Sequence, residues 1–428
     1  MMKNTTFFSI LGILCLVSIG CERPEINNSD NNYPLDISMT VEEDEVSLSW
    51  TRTNVSSFEG YVILRSPDSI PDDINILGPS PFFLGLIQEL DETEFVDDEI
   101  PFAESLYYKV IANVGERMLI SPTVRADFDR TILNFRFDQF FFNRANQKGY
   151  FIDNFSGQTN RYDFKDEKEE SGLSFLGGIS SMSFGDRDGG EIYTANQTNK
   201  LSILNEETLT EKTSITVSSS TSTGIYHSIY RGDLLFMTTR IWNSPFQVYR
   251  RSTRALVDQF TYQSPSEERT IAFLSDSANK MIAASRSHLD YLHLSESGAI
   301  VERKDLAHFE FSFLLPQPVV SPDGEYVIPY TSGRVFSTNP IQVIGSVGNF
   351  TSNATDFAFS EDGTKVFAIR SFPAQVEEYS FPNLQLLKTH RLGIFLKRIF
   401  VEGNDLVVLG NIHTSGFEQT VIERIDIE

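Results

Sequence analysis

Seven short apolar pulses run through the second part of the chain, each just after a polar turn. They begin at Tyr150, Ile192, Leu234, Met281, Tyr326, Val366 and Leu406, about 40 to 47 residues apart. The turns before them are Gln147-Lys148-Gly149, Asp188-Gly189-Gly190, Arg231-Gly232-Asp233, Ser277-Ala278-Asn279, Pro322-Asp323-Gly324, Glu361-Asp362-Gly363 and Glu402-Gly403-Asn404. Gly, Asn and Asp belong there because tight hairpins need positive φ. Further along each repeat a second strand-like segment follows, as in Arg161-Tyr162-Asp163-Phe164 and Tyr291-Leu292-His293-Leu294. Each repeat therefore reads as several strands joined by hairpins.

Strand-like alternation also marks the first part, in Asp36-Ile37-Ser38-Met39-Thr40-Val41 and Val46-Ser47-Leu48-Ser49-Trp50. Gly60-Tyr61-Val62-Ile63-Leu64-Arg65, Thr93-Glu94-Phe95-Val96-Asp97, the run Leu106 to Ala112 and Ser121-Pro122-Thr123-Val124 follow. In that order the segments resemble a bacterial fibronectin type III domain over 35–128, with Trp50 as the core tryptophan and Gly60-Tyr61 opening the third strand. The resemblance implies a spacer whose aromatics form its core. One departure is Leu106, two residues before Tyr108, where the family carries the tyrosine of its corner hydrogen bond.

A period near 40 with several strands per repeat is the signature of propeller blades. Ser321-Pro322-Asp323-Gly324 and Ser360-Glu361-Asp362-Gly363 resemble the hairpins of WD40-like bacterial propellers, without the Gly-His and Trp-Asp marks of true WD40 repeats. The expectation is an all-β chain, a fibronectin type III β-sandwich at 35–128 followed by a seven-bladed β-propeller at 129–428. A strand at 131–137 should complete the last blade and remove its open edge.

The N-terminus sets the expected address. Lys3 precedes an apolar run from Phe7 to Ile19 that is too short to span a bilayer and reads as a signal peptide, residues 1–20. Ser18-Ile19-Gly20-Cys21 resembles a lipobox, which implies cleavage before Cys21 and acylation of that residue. Ordinary cleavage after Gly20, leaving Cys21 free, is the other reading. Residues 21–34 are polar and read as a tether. The resemblance is to Bacteroidota lipoproteins of the outer membrane, on the cell surface or the periplasmic side. Cys15 and Cys21 are the only cysteines, so the segment beyond Cys21 forms no disulfide. A formal net charge of -24 argues against nucleic acid and against anionic membrane surfaces, leaving the lipid as the only membrane contact.

Candidate chemistry is sparse. Gly185-Asp186-Arg187-Asp188-Gly189-Gly190-Glu191 offers carboxylates but lacks the spacing of a calcium loop, and fits a hairpin turn. Arg231-Gly232-Asp233 spells an adhesion tripeptide in a turn position. The six histidines show no zinc spacing, and no nucleophile elbow, metalloprotease helix or phosphate loop occurs, so neither a cofactor nor a metal is expected. Asp68-Ser69-Ile70 and Asp276-Ser277-Ala278 resemble short O-glycosylation acceptors.

In a propeller, the loops between second and third strands open where ligands usually sit. Those segments supply Arg240, Trp242 and Asn243, then Arg286 and His288, Arg334, Arg370 and Phe372, and His413 and Phe417. They suggest a rim that binds an anionic glycan or a protein; the structural alternative is that the arginines neutralise nearby carboxylates. The expected function is a binding or scaffold lipoprotein, with a propeller hydrolase or lyase as the rival.

Overall fold

The computed structural model describes residues 35–427 except 43–44, 72–81, 116, 175–178, 196–197, 218–223, 240–244, 262–267, 276–278, 308–313, 349–353 and 415–416. The expected signal peptide, Cys21 and the expected tether lie outside the described residues, as do Arg240, Trp242, Asn243 and the triplet Asp276-Ser277-Ala278. The chain divides into two compact units, one made of residues up to Thr40, Ser47–Phe95 and Leu106–Arg125, the other of Val41–Val46, Val96–Ser105 and Ala126–Glu428.

In the first part, Ile37–Val41, Val46–Trp50 and Glu94–Asp97 form a three-stranded sheet. Phe83–Ile87, Phe58–Ser66, Ser105–Val114, Arg117–Ile120 and Val124–Asp127 form a five-stranded one. Trp50 from the smaller sheet meets Tyr61 of the larger edge-on, with ring centroids 5.3 Å apart. The Tyr61 hydroxyl accepts the Thr53 N–H at 3.1 Å and donates to the Leu90 carbonyl at 3.3 Å, so a buried phenol is satisfied by backbone.

The second unit contains seven four-stranded antiparallel sheets among the described residues. The first four are Gln139–Asn143, Lys148–Asp153, Gln158–Asp163 and Lys168–Ser174; Ser181–Gly185, Glu191–Ala195, Lys200–Asn205 and Glu211–Thr216; Ile225–Arg231, Leu234–Thr239, Pro245–Arg250 and Leu256–Thr261; and Thr270–Phe273, Lys280–Ala284, His288–Leu294 and Ile300–Ala307. The fifth and sixth are Leu314–Val320, Tyr326–Tyr330, Arg334–Thr338 and Ile341–Ser346, then Ala354–Phe359, Lys365–Arg370, Gln375–Ser380 and Leu386–Arg391. The seventh takes Phe395–Glu402, Asp405–Thr414 and Phe417–Asp426 from the end of the chain and its fourth strand, Arg130–Leu133, from near its beginning, with Ile132 opposite Val421.

Local chemistry explains the repeat. In the fifth sheet Ser321 Oγ accepts the Tyr326 N–H at 2.9 Å, and Asp323 Oδ1 accepts the Glu325 N–H at 2.9 Å. The sixth repeats this with Ser360 and Asp362, which accept the N–H groups of Lys365 and Thr364 at 2.9 and 3.0 Å. Serine and aspartate thus supply the turn's hydrogen bonds while glycine takes the left-handed position, φ 74° at Gly324 and 70° at Gly363. Each of the first six sheets also shows a register shift between its third and fourth strands, which increases local twist.

Hydrophobic cores lie between sheets. Tyr150 and Ile152 of the first pack with Ile192 of the second, Leu201 and Ile203 of the second with Leu235 of the third, and Phe236 of the third with Met281 of the fourth. Ile282 and Val327, Ile328 and Phe357, and Phe367 and Leu406 share the next three cores. A seventh core joins Phe400 and Val407 of the last sheet to Phe140 and Phe151 of the first.

Candidate functional site

The first strands of neighbouring sheets begin side by side. Ser180 Oγ donates to the Ile225 carbonyl at 2.9 Å, the Ile271 N–H to His227 Nδ1 at 3.4 Å, and the Ile399 N–H to Asp356 Oδ2 at 3.3 Å. Antiparallel pairing then brings the hairpins between second and third strands to that same end. This end is the rim.

Charged groups at the rim are largely paired within the fold. Asp290, fully buried, lies between Arg269 at 3.2 Å and Arg303 at 2.8 Å. Burial raises its carboxyl, and the two guanidinium charges oppose that shift. Glu377 accepts the Arg370 fork at 3.0 and 3.2 Å and further hydrogen bonds from Gln375 at 2.6 Å and Tyr379 at 2.5 Å. Burial alone would raise Glu377, but these donors bring it below the ordinary carboxylate range. Asp356 sits 3.4 Å from Arg398, its carboxyl raised by burial.

Between the seventh and first sheets, Arg136 reaches Asp138, Asp153 and Glu418 at 3.1, 3.2 and 3.6 Å. Lys397 lies 3.7 Å from Glu418 and donates to the Phe137 carbonyl; burial pushes its ammonium down. Asn411 Nδ2 donates to Glu418 at 2.5 Å, and Arg136 lies over the Phe155 ring at 5.7 Å.

Of the residues expected at the rim, Arg286 is exposed, and half-buried His288 pairs its Nδ1 with Ser287 Oγ at 2.8 Å. Arg334 is half-buried at the start of its strand, and Arg370 is held by Glu377. Phe372 is 82% exposed. Arg286 and His288 belong to the fourth sheet, Arg334 to the fifth, and Arg370 and Phe372 to the sixth; the Tyr330 hydroxyl links the fifth to the fourth through the Ser285 carbonyl at 3.0 Å. The side chains of His413 and Phe417 lie outside the described residues. His288 and His293 share one strand, where a five-residue separation points them to opposite faces.

Sequence reasoning missed two further aromatics at this end. Phe155, in the first sheet's second-to-third hairpin, is 89% exposed, and Phe395, at the start of the seventh sheet, is 60% exposed. It also missed the pairs around Asp290 and Asp356, whose only signal is a carboxylate inside an apolar strand. Among the described residues no group of three or more His, Cys, Asp or Glu side chains could hold a metal ion.

The β-propeller domain of Cps50 (Swd1) from Myceliophteria thermophila superposes on this chain with a TM-score of 0.53 at 12% identity, covering 69% of this chain and 99% of that one. Over that share the chain has a β-propeller fold. Hydrazine synthase from Kuenenia stuttgartiensis gives a TM-score of 0.52 at 12% identity, covering 70% of this chain and 97% of that one. No protein-family model matches the chain, and neither does any curated protein. Identity this low speaks for the propeller fold and leaves function to the chain's own residues.

Proposed function

We propose that the chain is an exported, lipid-anchored binding protein in which a fibronectin type III sandwich carries a closed seven-bladed propeller, and that the rim of this propeller docks a protein partner. The carrying observation is the exposure of Phe155, Phe372 and Phe395 at the rim ends of the first, sixth and seventh sheets, which follow one another around the proposed ring. Large exposed aromatics beside internally paired charges suit a protein interface, where aromatic anchors carry most of the binding energy. The Glu377 pairing of Arg370 weighs against an arginine platform for anionic glycans. The same pairings make catalysis a poorer reading, because the Asp290, Asp356 and Glu377 carboxylates are already held by guanidinium groups.

Two experiments test this reading. Changing Phe155, Phe372 and Phe395 together to Ala should abolish retention of a protein that wild type retains from a surface extract of the source cells, while the melting temperature holds. Equal retention by both, or retention of an acidic polysaccharide instead, sinks the protein-docking rim. Cys21→Ala should move the protein from the membrane to the soluble fraction, and membrane association that persists in this variant rejects the lipid anchor.

A further inference from the structure

The fourth strand of each propeller sheet is an end strand, and one of the seven differs from the rest. In the fifth sheet Arg334–Thr338 pairs with one side of Ile341–Ser346, and among the described residues no strand pairs with the other. Alternate N–H and C=O groups along such an edge point away from the sheet and can receive a further strand. Charged side chains on the edge discourage that pairing. Lys168, Glu211, Asp258, Glu302, Lys388 and Arg130 place at least one charge on each of the other six fourth strands. Ile341-Gln342-Val343-Ile344-Gly345-Ser346 carries none. Its side chains also face solvent: Val343 is 49% exposed, and Gln342, Ile344 and Ser346 are exposed with it.

The strand is held in place from behind. Val343 pairs in register with the fully buried Phe336, and Leu384 of the sixth sheet lies so near Gly345 that a Cβ there would meet it at 2.6 Å. An edge already fixed in strand geometry loses little freedom on pairing. We propose that this edge pairs antiparallel with the same strand of a second copy, joining two fifth sheets into one eight-stranded sheet about a two-fold axis near Val343. Charge selects the second copy as occupant. At a formal net charge of -24 two copies repel wherever their charged surfaces meet, and this is the fourth strand that meets its own counterpart with no charge on either side. The two-fold sets Val343 opposite Val343, a β-branched pair suited to a sheet. Val301, Leu386 and Leu387, exposed on the fourth strands of the fourth and sixth sheets, extend the apolar surface on both sides of this seam. Isologous pairing uses up the edge, so assembly stops at two. The edge is separate from the rim, and the inference does not rest on the function proposed for it.

Sedimentation velocity of the purified full chain in mild detergent tests the idea, with a dimer expected at about 10 μM. Val343→Lys opposes like charges across the axis and should weaken the dimer about tenfold, corresponding to about 1.4 kcal/mol. Val343→Glu alone should do the same. An equimolar mixture of the two variants should recover the dimer, which loss of folding cannot imitate. Gln342→Lys changes an exposed neighbour and weakens the dimer in the same direction if the Val343 variants fail to fold. Phe372→Ala at the rim should leave the dimer unchanged. A monomer at about 100 μM, whether its edge stays bare or takes a strand from another protein, would overturn the proposal. So would a dimer undiminished by folded Val343→Lys, a mixture of folded variants that stays monomeric, or an open series of larger oligomers.

Discussion

Phe140 of the first sheet stacks on Phe400 of the seventh, with centroids 5.6 Å apart and 15° between the ring planes. Phe142 lies on the same Phe400 ring at 4.4 Å, and Phe164 meets it edge-on at 5.4 Å. One side chain from the end of the chain therefore anchors a cluster built from its first propeller sheet. Phe400→Ala should cost about 3–5 kcal/mol, as large aromatic truncations in cores do. The check is the urea midpoint of the propeller transition; an unchanged midpoint refutes a stabilising seam between these sheets.

Asp290 gives a second, sharper expectation because its charge is buried between two arginines. Removing one partner of a buried pair leaves an uncompensated charge, so Asp290→Ala should destabilise by about 3–5 kcal/mol. Arg269→Met combined with Asp290→Leu should cost much less than the sum of the two single changes. Additive losses in chemical denaturation would show that the residues do not act as a pair.

Stability should also fall on mild acidification, through His227. Burial pushes its imidazole down to about 4 from an ordinary 6.5. The unfolded chain therefore takes up this proton first. The contribution is complete above pH 6.5 and lost as pH falls toward 4, amounting to roughly 3 kcal/mol. Glu191 acts lower. Burial would raise its carboxyl, but Arg251, Lys212 and Tyr193 outweigh that and hold it at about 2, so its contribution is lost between pH 4.5 and 2. Comparing urea midpoints at pH 7 and pH 4.5 separates the two: His227→Gln should flatten most of this difference, and an undiminished difference assigns the slope elsewhere.

The parts of the fold that were legible in the sequence rest on local chemistry. Ser321, Asp323 and Gly324 lie within four residues and make their turn among themselves, so the pattern shows without any distant partner. The completing strand was legible because a missing edge must be filled, although it covers Arg130–Leu133 and not the whole of 131–137. The rim was harder. Arg370 could be placed at its hairpin, but its capture by Glu377 depends on the register that sets Arg370 opposite Gln375. Phe155 and Phe395 gave no signal among 35 phenylalanines, since a core ring and an exposed ring look alike in one sequence.

The two Ser-x-Asp-Gly hairpins offer the cleanest separation of backbone strain from steric contact. Gly324 and Gly363 adopt nearly the same left-handed conformation, φ 74° and 70°, so alanine meets a similar backbone penalty of about 1 kcal/mol at each. Their surroundings differ. A Cβ on Gly363 would lie 3.6 Å from Pro322, an ordinary contact, whereas one on Gly324 would lie 2.1 Å from the carbonyl oxygen of Leu274. That oxygen lies one residue past the first strand of the neighbouring fourth sheet and moves only if the backbone there moves. Gly363→Ala should therefore cost about 1 kcal/mol, and Gly324→Ala should cost more by about 1–3 kcal/mol through overpacking at the junction of the fourth and fifth sheets. Urea denaturation of the two variants side by side measures the difference, and equal losses would mean that the Leu274 backbone yields freely and that the hairpin is not seated against the fourth sheet.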